Sequence, residues 1–135
     1  KAKLEEVARQ AGFTTKSQAG SGEIFQVMNR IAIEELEAWF FGDAYALAKA
    51  YPNISKNIIK QAKYRDPDAI AGGTAEELAR ALRRAGYFPG GLAKIEVARE
   101  ISAHMNPLAN VSKSFKVFMD GLQAMVATLP SISAS

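Results

Sequence analysis

The sequence predicts a mainly α-helical protein with one or two β-strands. Three patterns support this fold class: an opening segment with apolar residues at helical spacing, one run rich in β-branched residues at 24–33, and helical patterns from residue 34 onward. Helix, loop, strand and helix in this order form the second half of an α/β unit. We therefore expect a fragment whose earlier strands lie upstream, with α/β character at 1–43 and a helical subdomain at 44–135.

Composition excludes several classes of site. The chain has 135 residues, no cysteine and one histidine, so a disulfide framework, a thiolate metal site and a multi-histidine zinc site are all excluded. No apolar run reaches the ~18 residues of a membrane span, and no leader pattern opens the chain. We expect a cytoplasmic protein without a membrane partner. The net charge of +3 indicates nucleic-acid binding only where basic residues cluster.

The first helix is predicted over residues 1–12, with Gly12 as its C-terminal stop. Residues 13–23 predict a loop, with a short strand near 13–18. The run IFQVMNRIAI at 24–33 is the best strand candidate, centred on 27–33. Because a lone strand leaves backbone groups unpaired, it needs a partner from 13–18, from upstream sequence or from a second copy in a homodimer.

Downstream of residue 34 the chain predicts helices separated by turns. Thr74 and Glu77 form a capping box that opens one of them, and a later helix from Leu92 to Met105 is expected to bury Ile95. Three other residues are predicted to cap helices: Asp43, Ser55 and Ser112. The apolar stripes predict a core made of Trp39, Phe40, Leu47, Ile101, Phe115, Phe118 and Leu122.

Acidic residues cluster where the predicted strand ends. Glu34 and Glu37 are three apart and share a helical face, with Asp43 shortly after them. Ligand sites of α/β proteins lie at such strand ends, so these residues are candidates for a divalent metal or a general acid. The alternative is that acidic residues in a first helical turn only complement the helix dipole.

Basic residues cluster between Asp43 and Asp66. Arg80, Arg83 and Arg84 form a second patch, and Lys94 follows a glycine-rich loop that permits close approach of a ligand phosphate. The candidate nucleic-acid residues of the first cluster are Lys56, Lys60, Lys63 and Arg65, the three lysines lying on one face of a helix predicted from Ser55. Each basic residue has a plainer alternative as part of a solvated surface.

Four strings together resemble an uncharacterised bacterial family of Toprim-like proteins, DUF4276, over nearly the whole chain. They are NRIAIEELEAWFFGD (29–43), YRDPDAIAGGT (64–74), GGLAKIEVARE (90–100) and NVSKSF (110–115). The resemblance implies that this chain is the C-terminal part of a Toprim-like domain. Upstream it implies a glutamate motif and an Asp-x-Asp motif that hold magnesium.

A looser similarity reaches to the overcoming-lysogenization-defect nucleases. On that comparison Glu37 matches a late glutamate that binds metal, and Lys94 matches a lysine near the metals. The resemblance therefore implies a magnesium-dependent nuclease or phosphotransferase in bacterial defence, beside an ATPase partner. Without the upstream motifs we expect this fragment to bind no metal and to be inactive. The alternative function is a non-catalytic helical module that binds nucleic acid or a partner protein.

Overall fold

The computed structural model describes residues 1–30, 32 and 35–129. Over these residues the chain is mainly helical and contains no sheet, so the predicted helical character is confirmed. Short 3₁₀ turns occupy Ile58–Lys60, Ala62–Tyr64 and Pro67–Ala69. The α-helices are α1 (Ala2–Gln10), α2 (Glu37–Phe41), α3 (Ala44–Ala50), α4 (Thr74–Arg84), α5 (Lys94–Ser102) and α6 (Lys113–Ala127).

Extended pairing in the described residues is limited to one isolated parallel bridge between Thr15 and Val27. Lys16 N donates to Val27 O at 2.8 Å, and Gln26 N donates to Thr14 O at 2.9 Å. The predicted strands near 13–18 and 27–33 are thus reduced to this bridge where the chain is described, because no further extended segment pairs with them there. Residues 31 and 33 of the second strand lie outside the described residues, and the homodimer stays a prediction.

The chain divides into two compact units. One contains residues 1–31 and 117–135, and the other contains residues 32–116. In the first unit, Asn29 Nδ2 donates to Glu5 Oε1 at 3.1 Å, which ties the segment after the bridge to α1. The domain boundary expected at residue 43 stays a prediction.

The main core lies in the unit of residues 32–116, where α2 packs on α4 and α3 packs on α5. Of the predicted core residues, Phe40, Leu47, Ile101 and Phe115 are buried, whereas Trp39, Phe118 and Leu122 are only partly buried.

The prediction for α5 was wrong at one position, because Ile95 is 78% exposed. Val97 and Ile101, four residues apart, face the core instead. Ile95 precedes Val97 by two residues, which places it on the opposite side of the helix.

Two of the predicted caps are confirmed. Asp43 Oδ1 accepts from Ala46 N at 2.9 Å at the start of α3, and Ser112 Oγ accepts from Phe115 N at 3.1 Å at the start of α6. The helix expected from Ser55 is wrong, since the segment forms two 3₁₀ turns separated by an extended Gln61. The single helical face expected for its three lysines is therefore not formed.

The start of α4 also differs from the predicted capping box. Thr74 is already the first helical residue, preceded by Gly73 at φ +84°, and Glu77 does not reach back to it. Instead Glu35 Oε2, about forty positions earlier, accepts from Ala75 N at 2.7 Å and from the Thr74 hydroxyl at 3.3 Å. A remote carboxylate thus satisfies the amide that a local cap would have satisfied.

In the described part of the chain, every helix is too short or too polar to span a lipid bilayer.

Candidate functional site

A cleft of about 360 Å³ opens between the 3₁₀ turns and α4, within the unit of residues 32–116. Its apolar lining consists of Ile54, Ile58, Ala81 and Ala85. Its polar lining consists of Asn53, Ser55, Gln61, Lys63, Tyr64 and Arg84. A volume of this size lies at the small end of the range for small-molecule sites.

The carboxylate of Glu77 lies beside this cleft and is fully buried. Tyr64 Oη donates to Glu77 Oε1 at 2.6 Å, and Lys63 Nζ lies 2.5 Å from Glu77 Oε2. Arg80 Nη2 lies 2.8 Å from Oε2, while Arg84 Nη2 donates to Oε1 at 3.2 Å. We call Lys63, Arg80 and Arg84 the cationic cluster.

The cationic cluster has a net positive charge, because three cations surround one carboxylate. The side chains of Lys63, Arg80 and Arg84 remain 47%, 51% and 64% exposed, although Glu77 is buried. Burial raises the pKa of Glu77, but the hydrogen bonds from Lys63, Tyr64 and Arg80 outweigh it and lower the pKa to about 2. Glu77 therefore stays ionised at neutral pH and holds the three cations in place.

Helical spacing and aromatic packing position this cluster. Glu77, Arg80 and Arg84 lie at i, i+3 and i+7 of α4, which places them on one side of the helix. Tyr64 stacks on Phe41 with ring centroids 5.1 Å apart, so its hydroxyl is fixed relative to the core. Burial, followed by the hydrogen bond to Glu77, raises the pKa of Tyr64, and the phenol remains a neutral donor.

The predicted nucleic-acid residues all lie on the surface, but they have different surroundings. Lys56, Lys60, Lys63 and Arg65 are exposed. Of these four, Lys63 lines the cleft and contacts Glu77. In the second predicted patch, Arg80 and Arg84 also contact Glu77. Arg83 is exposed and belongs neither to the cluster nor to the cleft lining.

Of the three predicted acidic residues, Asp43 and Glu37 lie within the described part of the chain. Asp43 is buried, and both of its carboxylate oxygens are used: Oδ1 caps α3, and Oδ2 accepts from Asn106 N at 2.7 Å. Glu34 lies outside the described residues. Glu37, the first residue of α2, is partly buried, and its carboxylate has no hydrogen bond or ion pair with the rest of the described chain.

Residues 1–30, 32 and 35–129 contain no group of three or more His, Cys, Asp or Glu side chains arranged to hold a metal ion. The metal role of Glu37 stays a prediction.

Lys94 is exposed at the first position of α5. The helices that begin with Glu37 and Lys94 pack against each other, since α2 contacts α5. No hydrogen bond or ion pair between the two side chains occurs in the described part of the chain. The shared site predicted for them stays a prediction.

A buried polar network, which was not predicted from the sequence, joins three of the motif strings. Asp68 of YRDPDAIAGGT accepts from the hydroxyls of Ser112 and Ser114 at 2.9 and 2.7 Å, and from Lys113 N at 2.6 Å. Asn110 Nδ2 donates to Trp39 O at 2.8 Å. The signal for it was the pair of serines at a helix start, which need a buried acceptor when the helix end is enclosed.

This network holds Asp68 in its charged form. Burial raises the pKa of Asp68, whereas the hydroxyls of Ser114 and Ser112 and two backbone N–H groups lower it, and the net direction is downward. These motif positions therefore have a structural role in capping α6, distinct from the cationic cluster.

The sequence model of one protein family matches residues 1–123, and its description is a domain of unknown function, DUF4276. No curated protein and no solved structure matches the chain.

Proposed function

The chain belongs to the DUF4276 family, and we propose that it binds the phosphate backbone of a nucleic acid through the basic residues around the cleft. The observation that carries this proposal is the cationic cluster: Lys63, Arg80 and Arg84 converge on one buried carboxylate, and their side chains remain about half exposed. Phosphate contacts from lysine and arginine supply most of the affinity of sequence-independent nucleic-acid binding.

The surroundings of the cluster add positive charge. The segment from Ser55 to Arg65 contains four exposed basic residues and no acidic residue. Asp66, which follows this segment, is paired with Lys113 at 3.0 Å. The surface therefore keeps an excess of positive charge, although Glu77 offsets one of its cations.

A solvated surface of mobile lysines would not need the arrangement at Glu77. Holding a long cationic side chain in one geometry costs conformational entropy that a ligand would otherwise have to offset on binding. The buried carboxylate already fixes two arginines and a lysine beside the cleft. This preorganisation favours a binding surface over a plain solvated one.

The test compares two triple variants that lose the same charge. Lys56→Gln, Lys60→Gln and Arg65→Gln remove three cations next to the cluster and leave Glu77 and its partners intact. Lys3→Gln, Arg99→Gln and Lys116→Gln remove three exposed cations elsewhere. Binding to a fluorescein-labelled single-stranded DNA is measured by anisotropy in EDTA, as a function of salt concentration.

We expect the first triple variant to weaken binding at least about tenfold and to reduce the slope of log K against log salt by about 2, as the loss of three phosphate contacts predicts. The second should retain most of the affinity and slope. Equal losses in the two variants, or no binding by the unsubstituted chain, would refute the proposal.

A second candidate is the C-terminal part of a Toprim-like nuclease or phosphotransferase in bacterial defence, in which Glu37 binds magnesium and Lys94 meets the phosphate. It is supported by the resemblance of the motif strings and by the packing of α2 against α5. Magnesium keeps several waters and usually needs more than one carboxylate. In this candidate Glu37 would therefore need further carboxylates beside it to hold the ion.

This candidate is tested in the longest natural form of the protein that expresses. Glu37→Gln and Lys94→Met should leave the thermal melt unchanged and abolish magnesium-dependent cleavage of a labelled DNA. Glu96→Gln, an exposed carboxylate on α5, is the matched control and should cleave normally. Cleavage that survives both site substitutions would exclude this candidate without affecting nucleic-acid binding.

A further inference from the structure

We propose that the cleft beside the cationic cluster holds a single nucleotide unit, with its phosphate at Lys63 and Arg84 and its base inside the cleft. This inference rests on the proposed function and names the part of the ligand that the site recognises. It assigns the cleft to a base and not only to a phosphate backbone, so it requires an unpaired nucleotide.

The lining of the cleft has an apolar part and a cationic part. Ile54, Ile58 and Ala81 supply an apolar lining, while Lys63 and Arg84 supply two cations in the same cavity. A nucleotide has the same division, since its base has apolar faces and its phosphate is anionic. A cleft of about 360 Å³ accommodates one such unit and is too small for a dinucleotide cofactor.

Two side chains in the cleft lining, Asn53 and Gln61, have polar atoms that make no hydrogen bond within the described chain. Asn53 Nδ2 donates a hydrogen bond to Ala85 O at 3.0 Å, but Asn53 Oδ1 accepts none within the described chain. The side-chain amide of Gln61 makes no hydrogen bond there either. One free acceptor and one amide with both a donor and an acceptor suit the polar edge of a nucleobase.

Within the described chain, the guanidinium of Arg84 is held through only one of its nitrogens. Its Nη2 donates both to Tyr64 Oη at 3.1 Å and to Glu77 Oε1 at 3.2 Å. Its Nε and Nη1 make no hydrogen bond with other described residues. Two fixed bonds through one nitrogen leave the rest of the guanidinium oriented and free to donate to a phosphate.

The experiment uses the 135-residue chain in EDTA and a labelled oligothymidylate of about 12 nucleotides, within the usual site size for single strands. Three unlabelled competitors are compared: the same oligomer with bases, an abasic oligomer with the same phosphates, and free thymidine 5′-monophosphate. We expect the abasic oligomer to compete at least about tenfold more weakly than the oligomer with bases.

The competitors distinguish the two sources of a nucleotide unit. If the monophosphate competes as well as the oligomer, the natural ligand is a free nucleotide; if only the oligomer with bases competes, it is a single strand. Both outcomes support the inference. If the label is not bound, direct calorimetry with the monophosphate decides: binding supports the inference and refutes the proposed function, whereas no binding refutes both.

Equal competition by the abasic oligomer and by the oligomer with bases, without competition by the monophosphate, would overturn the inference and leave backbone binding intact. Variants provide a second readout. Arg84→Gln should weaken binding about tenfold, whereas Arg83→Gln, an exposed neighbour outside the cleft, should not. Gln61→Ala should weaken the oligomer with bases but not the abasic one. Equal effects of the two arginine variants, with unchanged thermal melts, would also overturn the inference.

Discussion

At the scale of one residue, Glu77 connects the buried core with exposed cations on the surface. Its carboxylate is fully buried, yet the three cations that it contacts are about half exposed. A buried charge without partners would be strongly destabilising, so the cations and Tyr64 are required for Glu77 to be ionised there. The same contacts fix Lys63 and Arg84, which line the cleft, and hold Arg80 on the same carboxylate.

The stability contributed by Glu77 should disappear in acid. Its pKa in the folded state, about 2, is below the ordinary value of 4.5, so its contribution is fully present above about pH 4.5 and is lost as the pH falls towards 2. The shift corresponds to a contribution on the order of 3 kcal/mol. Urea unfolding of the unsubstituted chain and of Glu77→Gln at several pH values measures it.

We expect the free energy of unfolding of the unsubstituted chain to exceed that of Glu77→Gln at pH 6, and the difference to shrink by about that amount near pH 2. Glu76→Gln, at the exposed neighbouring position, is the control and should show no such trend. A constant difference between the unsubstituted chain and Glu77→Gln across this range would contradict the assignment.

Asp68 has a comparable role at the start of α6, but its partners are neutral. Asp68→Asn replaces one carboxylate oxygen by an amide that cannot accept from Lys113 N or Ser114 N, so buried donors lose their acceptor. We expect a loss of about 1–3 kcal/mol in the free energy of unfolding. Asp66→Asn, which affects an exposed ion pair with Lys113, should cost less than about 1 kcal/mol. If the two variants lost equal free energy of unfolding, the burial of Asp68 would not be the cause of its larger expected loss.

At the scale of elements, α5 shows what an apolar pattern can and cannot predict. The periodicity correctly predicts a helix, but the buried face depends on which side meets α3 and α2. Val97 and Ile101 are buried, whereas Ile95 is 78% exposed.

Two alanine substitutions separate these positions on α5. Ile101→Ala should lower the free energy of unfolding by about 2–5 kcal/mol, because it leaves a cavity in the core. Ile95→Ala should change it by less than about 0.5 kcal/mol, since that side chain buries little surface. Denaturant midpoints with unchanged slopes measure both values. A large loss at Ile95 would mean that another surface covers it in solution.

At the scale of the whole molecule, the motif strings that are far apart in sequence meet inside the unit of residues 32–116. Val111 N donates to Gly42 O at 2.9 Å, and Asn110 is fully buried beside them. Gly42 has ordinary helical backbone angles, but a Cβ atom added there would fall on Asn110 Oδ1. Glycine is needed here for close approach of two segments and not for its backbone freedom.

Gly42→Ala should therefore destabilise the fold by about 1–3 kcal/mol, since the added Cβ would displace Oδ1 of buried Asn110, which accepts a hydrogen bond from Ser112 N. Gly90→Ala is the control, because no atom lies within 4 Å of the added Cβ and its φ is not positive. Its stability should be unchanged or slightly raised. Thermal melts of both variants decide, and a neutral Gly42→Ala would contradict the packing described.

The sequence by itself determined the helical class and two of the four predicted local caps. Asp43 and Ser112 cap the helices predicted for them, because an N-cap needs only its own side chain and an amide two or three positions later. Periodicity correctly predicted that Leu47 and Ile101 are in the core, because helical spacing also depends only on residues close in sequence.

Only the tertiary structure decided the features that depend on distant residues. Glu35 caps α4 in place of the predicted capping box, and Lys63 meets Arg80 and Arg84 at Glu77 across more than a dozen positions. The expected strands needed partners that residues 13–30 do not supply beyond one bridge. Hydrogen bonds and ion pairs between remote segments form only after the core brings them together, so no local pattern contains them.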